Sequence, residues 1–165
     1  MTSEMEGMGS DMFRRILIGA AAGAAGTTAL NAATYVDMAC RARPASSTPE
    51  QLVDKLAASL EIEVPGESEA RENRLSGLGA LAGIATGVGV GAAYGALDVL
   101  HLRPPGPFGA IAAAAGAMIG SDVPMAKYGV SDPTTWSGTD WLSDAIPHLI
   151  YGAVVAMTYA AATRR

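Results

Sequence analysis

Glycine recurs at every fourth position through a long, charge-poor stretch of this sequence, residues 75–100. In an α-helix, residues four apart lie on one face, so the pattern predicts a groove without side chains along one helix. A second helix can approach such a groove closely, as is typical of helices packed together in lipid. The glycines are Gly79, Gly83, Gly87, Gly91 and Gly95. The feature predicts tight helix–helix contact inside a membrane.

Three further charge-poor stretches complete the predicted fold, an all-α integral membrane bundle of four transmembrane helices. The predicted spans are residues 16–36, 75–100, 108–126 and 145–163, and about 20 apolar residues are enough to cross a bilayer. The third is interrupted by Asp122 and Pro124, so we expect a span with a broken or polar end. Residues 1–13 are predicted as a flexible acidic tail before a transmembrane domain of residues 14–165. A cleaved signal peptide is the competing interpretation of the first stretch.

Composition favours small side chains and excludes some classes of protein. The hydrophobic fraction is 50% but the aromatic fraction is only 5%, which suits helices in lipid better than a soluble core. The net charge of −5 argues against a nucleic-acid partner, since phosphate binding needs clustered Lys and Arg. Cys40 is the only cysteine, so an internal disulfide or a cysteine-based zinc site is excluded.

The long loop after the first span carries a predicted amphipathic helix, residues 49–62. Thr48 is expected to cap it, with Pro49 at the first helical position and Gln51 closing a capping box. Leu52 and Leu56 belong to a single apolar stripe along it. The helix is expected either to lie on the membrane surface and cover the bundle or to pack on its own loop.

Small residues at matching spacing predict partners for the glycine groove. They are Gly19 and Gly23 in the first span, Gly116 and Gly120 in the third, and Gly152 in the fourth. Packing within one chain and self-association around a pore need the same residues. Both remain open.

Polar residues collect at one membrane face if the four spans alternate in direction. Asp122 and His148 are the candidate ion- or proton-binding pair, because ionisable groups at membrane depth are costly and often functional. Asp37 and Asn31 complete a possible polar network. The alternative is a hydrogen-bonded helix contact without further function. Trp136 and Trp141 are predicted as anchors at headgroup depth, where tryptophan is enriched.

Two sequence runs and the Gly/Ala-rich first span carry a resemblance. Residues 136–144 read Trp-Ser-Gly-Thr-Asp-Trp-Leu-Ser-Asp, and residues 147–152 read Pro-His-Leu-Ile-Tyr-Gly. The chain resembles small, uncharacterised multi-span proteins of high-GC bacteria. It is distantly similar, mainly in its last helix, to the YagU-like inner-membrane family. The resemblance implies a bacterial inner membrane and no catalytic residue.

The familiar motifs of enzymes are missing from the sequence. There is no phosphate loop, no Gly-x-Ser-x-Gly elbow and no pair of histidines expected on the same face, so we predict no cofactor and no metal.

The leading hypothesis is a non-enzymatic accessory or scaffold subunit of a membrane complex. The alternative is a small homo-oligomeric channel or a proton- or ion-linked permease, and a membrane enzyme is third. The arginines that flank the spans predict that both termini are cytoplasmic. The expected partners are the lipid bilayer and either further copies of the chain or other subunits, and no nucleic acid.

Overall fold

The structure, a computed structural model, describes residues 2–164 and the side chains of residues 9–164. Within that range it holds five α-helices, a short 3-10 turn and no strand, so the predicted all-α class is confirmed. The helices are α1 (Thr2–Arg41), α2 (Thr48–Ser59), α3 (Ser68–Val99), α4 (Gly106–Lys127) and α5 (Gly138–Thr163), with the 3-10 turn at Pro133–Thr135.

Four of these helices, α1, α3, α4 and α5, are long and apolar enough to cross a membrane. Large aliphatic side chains such as Leu81 and Ile119 point outward from the bundle, with 61% and 62% of their surface exposed. Exposed aliphatic surface of this kind suits lipid. The chain is therefore a multi-pass membrane protein by the length and composition of its helices.

Two features of the predicted helix boundaries, the flexible N-terminal tail and the break in the third span, differ in the structure. The predicted tail, residues 1–13, coincides from Thr2 onward with the first turns of α1. The third span is not broken, because α4 continues through Asp122 and Pro124 to Lys127. Pro124 removes one backbone donor, a loss that is tolerated so close to the end of the helix.

The four long helices alternate in direction around a ring. α1 packs between α3 and α5, and α4 packs on the other side of the same two helices. We call the end with the α3–α4 connection, residues 100–105, the short-loop end. The opposite end, where residues 42–67 and 128–137 emerge, is the long-loop end. Helices α3 and α5 face each other across the ring through their side chains.

The glycine groove of α3 is occupied by α1 of the same chain. A Cβ atom added at Gly91 would lie 2.5 Å from the Cα atom of Gly23, and one added at Gly19 would lie 2.9 Å from the backbone nitrogen of Gly95. Added carbons at Gly23 would meet the backbone of Gly87 and Gly91 in the same way. No side chain fits between these backbones, so glycine is required on both helices.

The remaining predicted packing glycines divide between contact and open space. Gly152 of α5 lies against the backbone of α4, where an added Cβ would be 2.8 Å from the nitrogen of Ala114. Gly116 and Gly120 of α4 face side chains of α3. Gly83 differs: an added Cβ there would meet nothing within 4 Å. Gly83 therefore makes no helix contact within the described chain, because it lies on α3 between the α1 crossing and the α2 contact.

The loop helix packs on the bundle at the long-loop end. Gly79 of α3 lies under its first turn, where an added Cβ would be 3.0 Å from the carbonyl carbon of Pro49. Lys55 donates to the backbone oxygens of Tyr128 and Gly129 just beyond α4, each at 2.9 Å. The predicted cap is wrong by one residue: Ser47 precedes the helix, Thr48 is already helical, and the Gln51 amide donates to the Ser47 hydroxyl at 2.9 Å.

Candidate functional site

The centre of the bundle is filled by tyrosine and valine side chains from α5. Tyr151, Val155 and Tyr159 are completely buried. The Tyr151 hydroxyl crosses the ring and donates to the carbonyl oxygen of Gly87 at 2.6 Å. A Cβ atom added at Gly87 would clash with the Thr27 hydroxyl of α1 and would lie 3.4 Å from the Tyr151 ring, so glycine at this position leaves room chiefly for Thr27. Within the described chain these side chains occupy the middle of the bundle together with Thr27, and the ion pairs lie toward its two ends.

At the short-loop end, Asp98 of α3 joins three elements through its carboxylate. Arg15 of α1 and the Tyr159 hydroxyl of α5 both donate to Oδ2, the latter at 3.0 Å. Arg103 from the α3–α4 connection donates its Nε to Oδ1 at 2.7 Å. Only 16% of the Asp98 side chain is exposed. Because every oxygen of this carboxylate is bonded to a charged or phenolic donor, the network fixes α1, α3, α5 and the connection relative to one another.

Two aromatic rings support the cation of Arg103 in this network. The Arg103 guanidinium lies 5.7 Å from the ring centre of Tyr94 and 5.5 Å from that of Tyr159. The two rings meet edge to face with centres 5.5 Å apart. The neighbouring Asp98 carboxylate raises the pKa of Arg103, so its charge is permanent.

At the long-loop end, His148 of α5 is the centre of a small titratable cluster. Its Nδ1 atom lies 2.8 Å from the backbone oxygen of Asp144 and 3.4 Å from Oδ1 of the same residue. His148 is buried, with 9% of its surface exposed. Asp122 of α4 interacts electrostatically with both residues and accepts a hydrogen bond from Ser121 at 3.0 Å. The predicted pair of Asp122 and His148 thus shares one cluster, in which Asp144 is the nearer carboxylate.

One oxygen of this cluster has no partner in the described structure. Asp144 Oδ2 is buried and makes no hydrogen bond. A buried carboxylate oxygen without a donor is costly. In the part of the chain that the structure describes, no three His, Cys, Asp or Glu side chains are arranged to hold a metal ion.

The other predicted polar residues lie apart from this cluster. Asp37 pairs with arginines just beyond it on the chain, accepting from Arg43 Nε at 2.6 Å. Arg41 continues this network to α5 by donating to the Ser143 hydroxyl at 2.8 Å. Asn31 is half-buried, and the structure records no hydrogen bond for its side chain among the described residues.

The two tryptophans pack against each other beside a short 3-10 turn. The rings of Trp136 and Trp141 meet at 65° with centres 5.0 Å apart, and the Trp136 indole donates to Ser131 at 2.9 Å. Asp132 caps the turn: the Thr134 hydroxyl and backbone N–H donate to its carboxyl group and lower its pKa. This loop is ordered by its own hydrogen bonds.

Comparison of the chain with protein-family models, with curated proteins and with solved structures finds no match. What the two clusters can do follows from their own chemistry. The Asp98 network has both carboxylate oxygens satisfied and serves to hold helices together. The Asp122–Asp144–His148 cluster combines two carboxylates with an imidazole, and one buried oxygen of Asp144 has no hydrogen-bond partner among the described residues.

Tyr94, Tyr151, Tyr159 and Asp98 are the residues that sequence reasoning did not single out. Tyr151, Val155 and Tyr159 stand at every fourth position, beside the small residues Gly152 and Ala156. That stripe was a usable signal for the buried face of α5. For Asp98, a carboxylate inside an apolar span was the signal, since such groups need a partner at that depth.

Proposed function

We propose that the chain is a non-enzymatic accessory or scaffold subunit of a membrane complex in the bacterial inner membrane. The observation that carries the proposal is that its tightest glycine crossing and its interior are both occupied within one chain. The α3 groove already holds α1, and the tyrosines of α5 fill the middle of the ring. A filled interior favours a rigid platform over a transport path through a single chain.

The surface offered to a partner is at the long-loop end. Apolar side chains of the segment that follows α2 remain exposed there, including Leu60 and Ile62 at 60% and 59%. A groove of about 290 Å³ between α1 and α5 lies at the same end, lined in part by Asp37, Arg41 and Ser143. Exposed apolar groups bordered by charged ones are typical of a surface that binds another protein.

Native mass spectrometry after gentle detergent extraction tests this proposal. We expect foreign chains at a fixed stoichiometry with the tagged protein. The substitution Ile62→Glu should remove them, while Leu102→Glu, at a similarly exposed residue of the short-loop end, should leave them bound. Recovery of the wild-type chain only by itself, or only as a closed homo-oligomer, would overturn the proposal.

A homo-oligomeric channel or proton-linked permease is the second candidate, and the unpartnered Asp144 Oδ2 beside His148 is the observation that favours it. Because the ring is filled, the path would have to run between copies of the chain. Proton flux in liposomes that disappears with His148→Ala would support this function. Equal flux in wild type and variant would remove His148 from any such role.

A further inference from the structure

An open groove of about 310 Å³ lies on the outside of the bundle at the short-loop end. Its length is lined by small or apolar residues of α4 and α5, among them Ala110, Ala153 and Met157. Met157 is 64% exposed, so this side of α5 faces the surroundings of the bundle. In a membrane protein those surroundings are acyl chains.

The end of the groove is positively charged. Arg103 and Arg164 both line it. Arg103 shares its carboxylate partner, Asp98, with Arg15, and Arg164 is exposed. Among the described side chains in these last turns, four arginines stand against two aspartates. The arginines are Arg14, Arg15, Arg103 and Arg164, and the aspartates are Asp11 and Asp98.

The first turn of α4 borders the same place. Gly106 and Pro107 line the groove, and no side chain caps this helix start. Free backbone N–H groups and the positive end of the helix dipole favour an anion at such a position. The two arginines and the helix start therefore line the same end of an otherwise apolar groove.

We propose that this groove binds one anionic phospholipid, with its phosphate at Arg103, Arg164 and the start of α4 and an acyl chain along Ala153 and Met157. The charge of the whole protein opposes such binding, since the net charge is −5. A preference for anionic lipid must then come from a local site. The inference requires only that the chain spans a bilayer and is independent of any protein partner.

The test is native mass spectrometry of the full-length chain in detergent, titrated with phosphatidylglycerol or with phosphatidylcholine of the same acyl chains. We expect the wild type to prefer phosphatidylglycerol. Arg164→Gln should lower that preference about fivefold, the effect of one arginine near an anionic headgroup. Arg164→Lys should keep most of it. Arg74→Gln, at an exposed arginine of α3 near the long-loop end, is the matched control and should leave the preference unchanged.

The acyl part of the site has its own pair of variants. Ala153→Leu should fill the groove and weaken binding of both lipids, whereas Ala115→Leu, on the exposed side of α4, should leave binding intact. Circular dichroism of each variant checks that it remains helical. No lipid preference in the wild type, or an equal loss with Arg74→Gln, would overturn the proposal. Binding of inorganic phosphate with no response to Ala153→Leu would also overturn it, because the site would then hold a free anion.

Discussion

Single atoms decide the contact between α1 and α3. The Cβ of an alanine at position 91 would have to occupy space already taken by the backbone of Gly23, which cannot move aside as a flexible side chain could. At Gly83, eight residues earlier on the same helix, the same carbon would meet nothing. Glycine is therefore required by packing at position 91, whereas at position 83 it only weakens the helix.

The pair of variants Gly91→Ala and Gly83→Ala should consequently change stability in opposite directions. We expect Gly91→Ala to lower the free energy of unfolding by about 1–3 kcal/mol through overpacking. Gly83→Ala should raise it by about 0.5–1 kcal/mol, because alanine favours the helix. Unfolding of the purified protein by titration of dodecyl sulfate into mild detergent measures both. A loss of stability in Gly83→Ala would show that this residue contacts something after all.

The Asp98 carboxylate provides a second prediction at this scale. Asp98→Asn keeps the shape of the side chain but leaves Arg15 and Arg103 without their shared anion, so we expect a loss of roughly 1.5–3 kcal/mol of unfolding free energy. Asp11→Asn is the control: Asp11 is 52% exposed and pairs only with neighbours on its own helix. Its effect should stay within about 0.5 kcal/mol. Equal effects of the two substitutions would contradict the linking role of Asp98.

Among whole elements, α2 is held to the bundle by few contacts. Its first turn rests on Gly79, Lys55 bonds the end of α4, and Asp54 pairs with Arg71 of α3. None of its residues is fully buried. A helix with so little buried surface opens more easily than the core of the fold.

Gly79→Leu should therefore detach α2 without unfolding the bundle. The larger side chain would push the backbone of Pro49 and Glu50 away from α3, while the α1–α3 crossing two turns further along is untouched. We expect limited proteolysis within residues 42–67 to become at least several times faster while the helical circular dichroism is retained. Gly83→Leu is the matched control and should be cut at the wild-type rate. Unchanged proteolysis in Gly79→Leu would mean that Lys55 and Asp54 alone hold the helix.

For whole elements, the sequence predicted the features that depend on local patterning. It did not predict the features that depend on contacts with other helices. Apolar length predicted all four spans, and the stripe of α2 predicted that helix. Spacing of four could not tell Gly83 from Gly91, since the two differ only in what the surrounding helices place opposite them. The same holds for Asp98, because its three donors come from segments far apart in sequence and only the folded bundle brings them together.

At the scale of the whole molecule, the two ends of the bundle have different characters. The short-loop end is held by one bonded network around Asp98, and the groove beside it is basic. The long-loop end carries a loosely held helix, a titratable cluster and exposed apolar side chains. A platform that binds lipid at the short-loop end and protein at the long-loop end would use both ends of the bundle. This division of roles requires the basic end to face the anionic leaflet, which in our proposal is the cytoplasmic one.

Cys40 allows that orientation to be tested directly. It is the only cysteine of the chain, it is exposed, and it stands near the end of α1 at the long-loop end. With both termini in the cytoplasm, a membrane-impermeant maleimide should label Cys40 once the outer membrane is permeabilised and the inner membrane is left intact. Leu102→Cys in a Cys40→Ser background moves the thiol to the short-loop end and should be protected until the inner membrane is opened. Labelling of both positions in intact inner membranes would contradict the single span, α3, that lies between them, and with it the alternating ring. Labelling of position 102 with protection of Cys40 would instead show the opposite orientation in the membrane. The lipid groove would then lie in the outer leaflet, and α2 and the exposed side chains near it would face cytoplasmic partners.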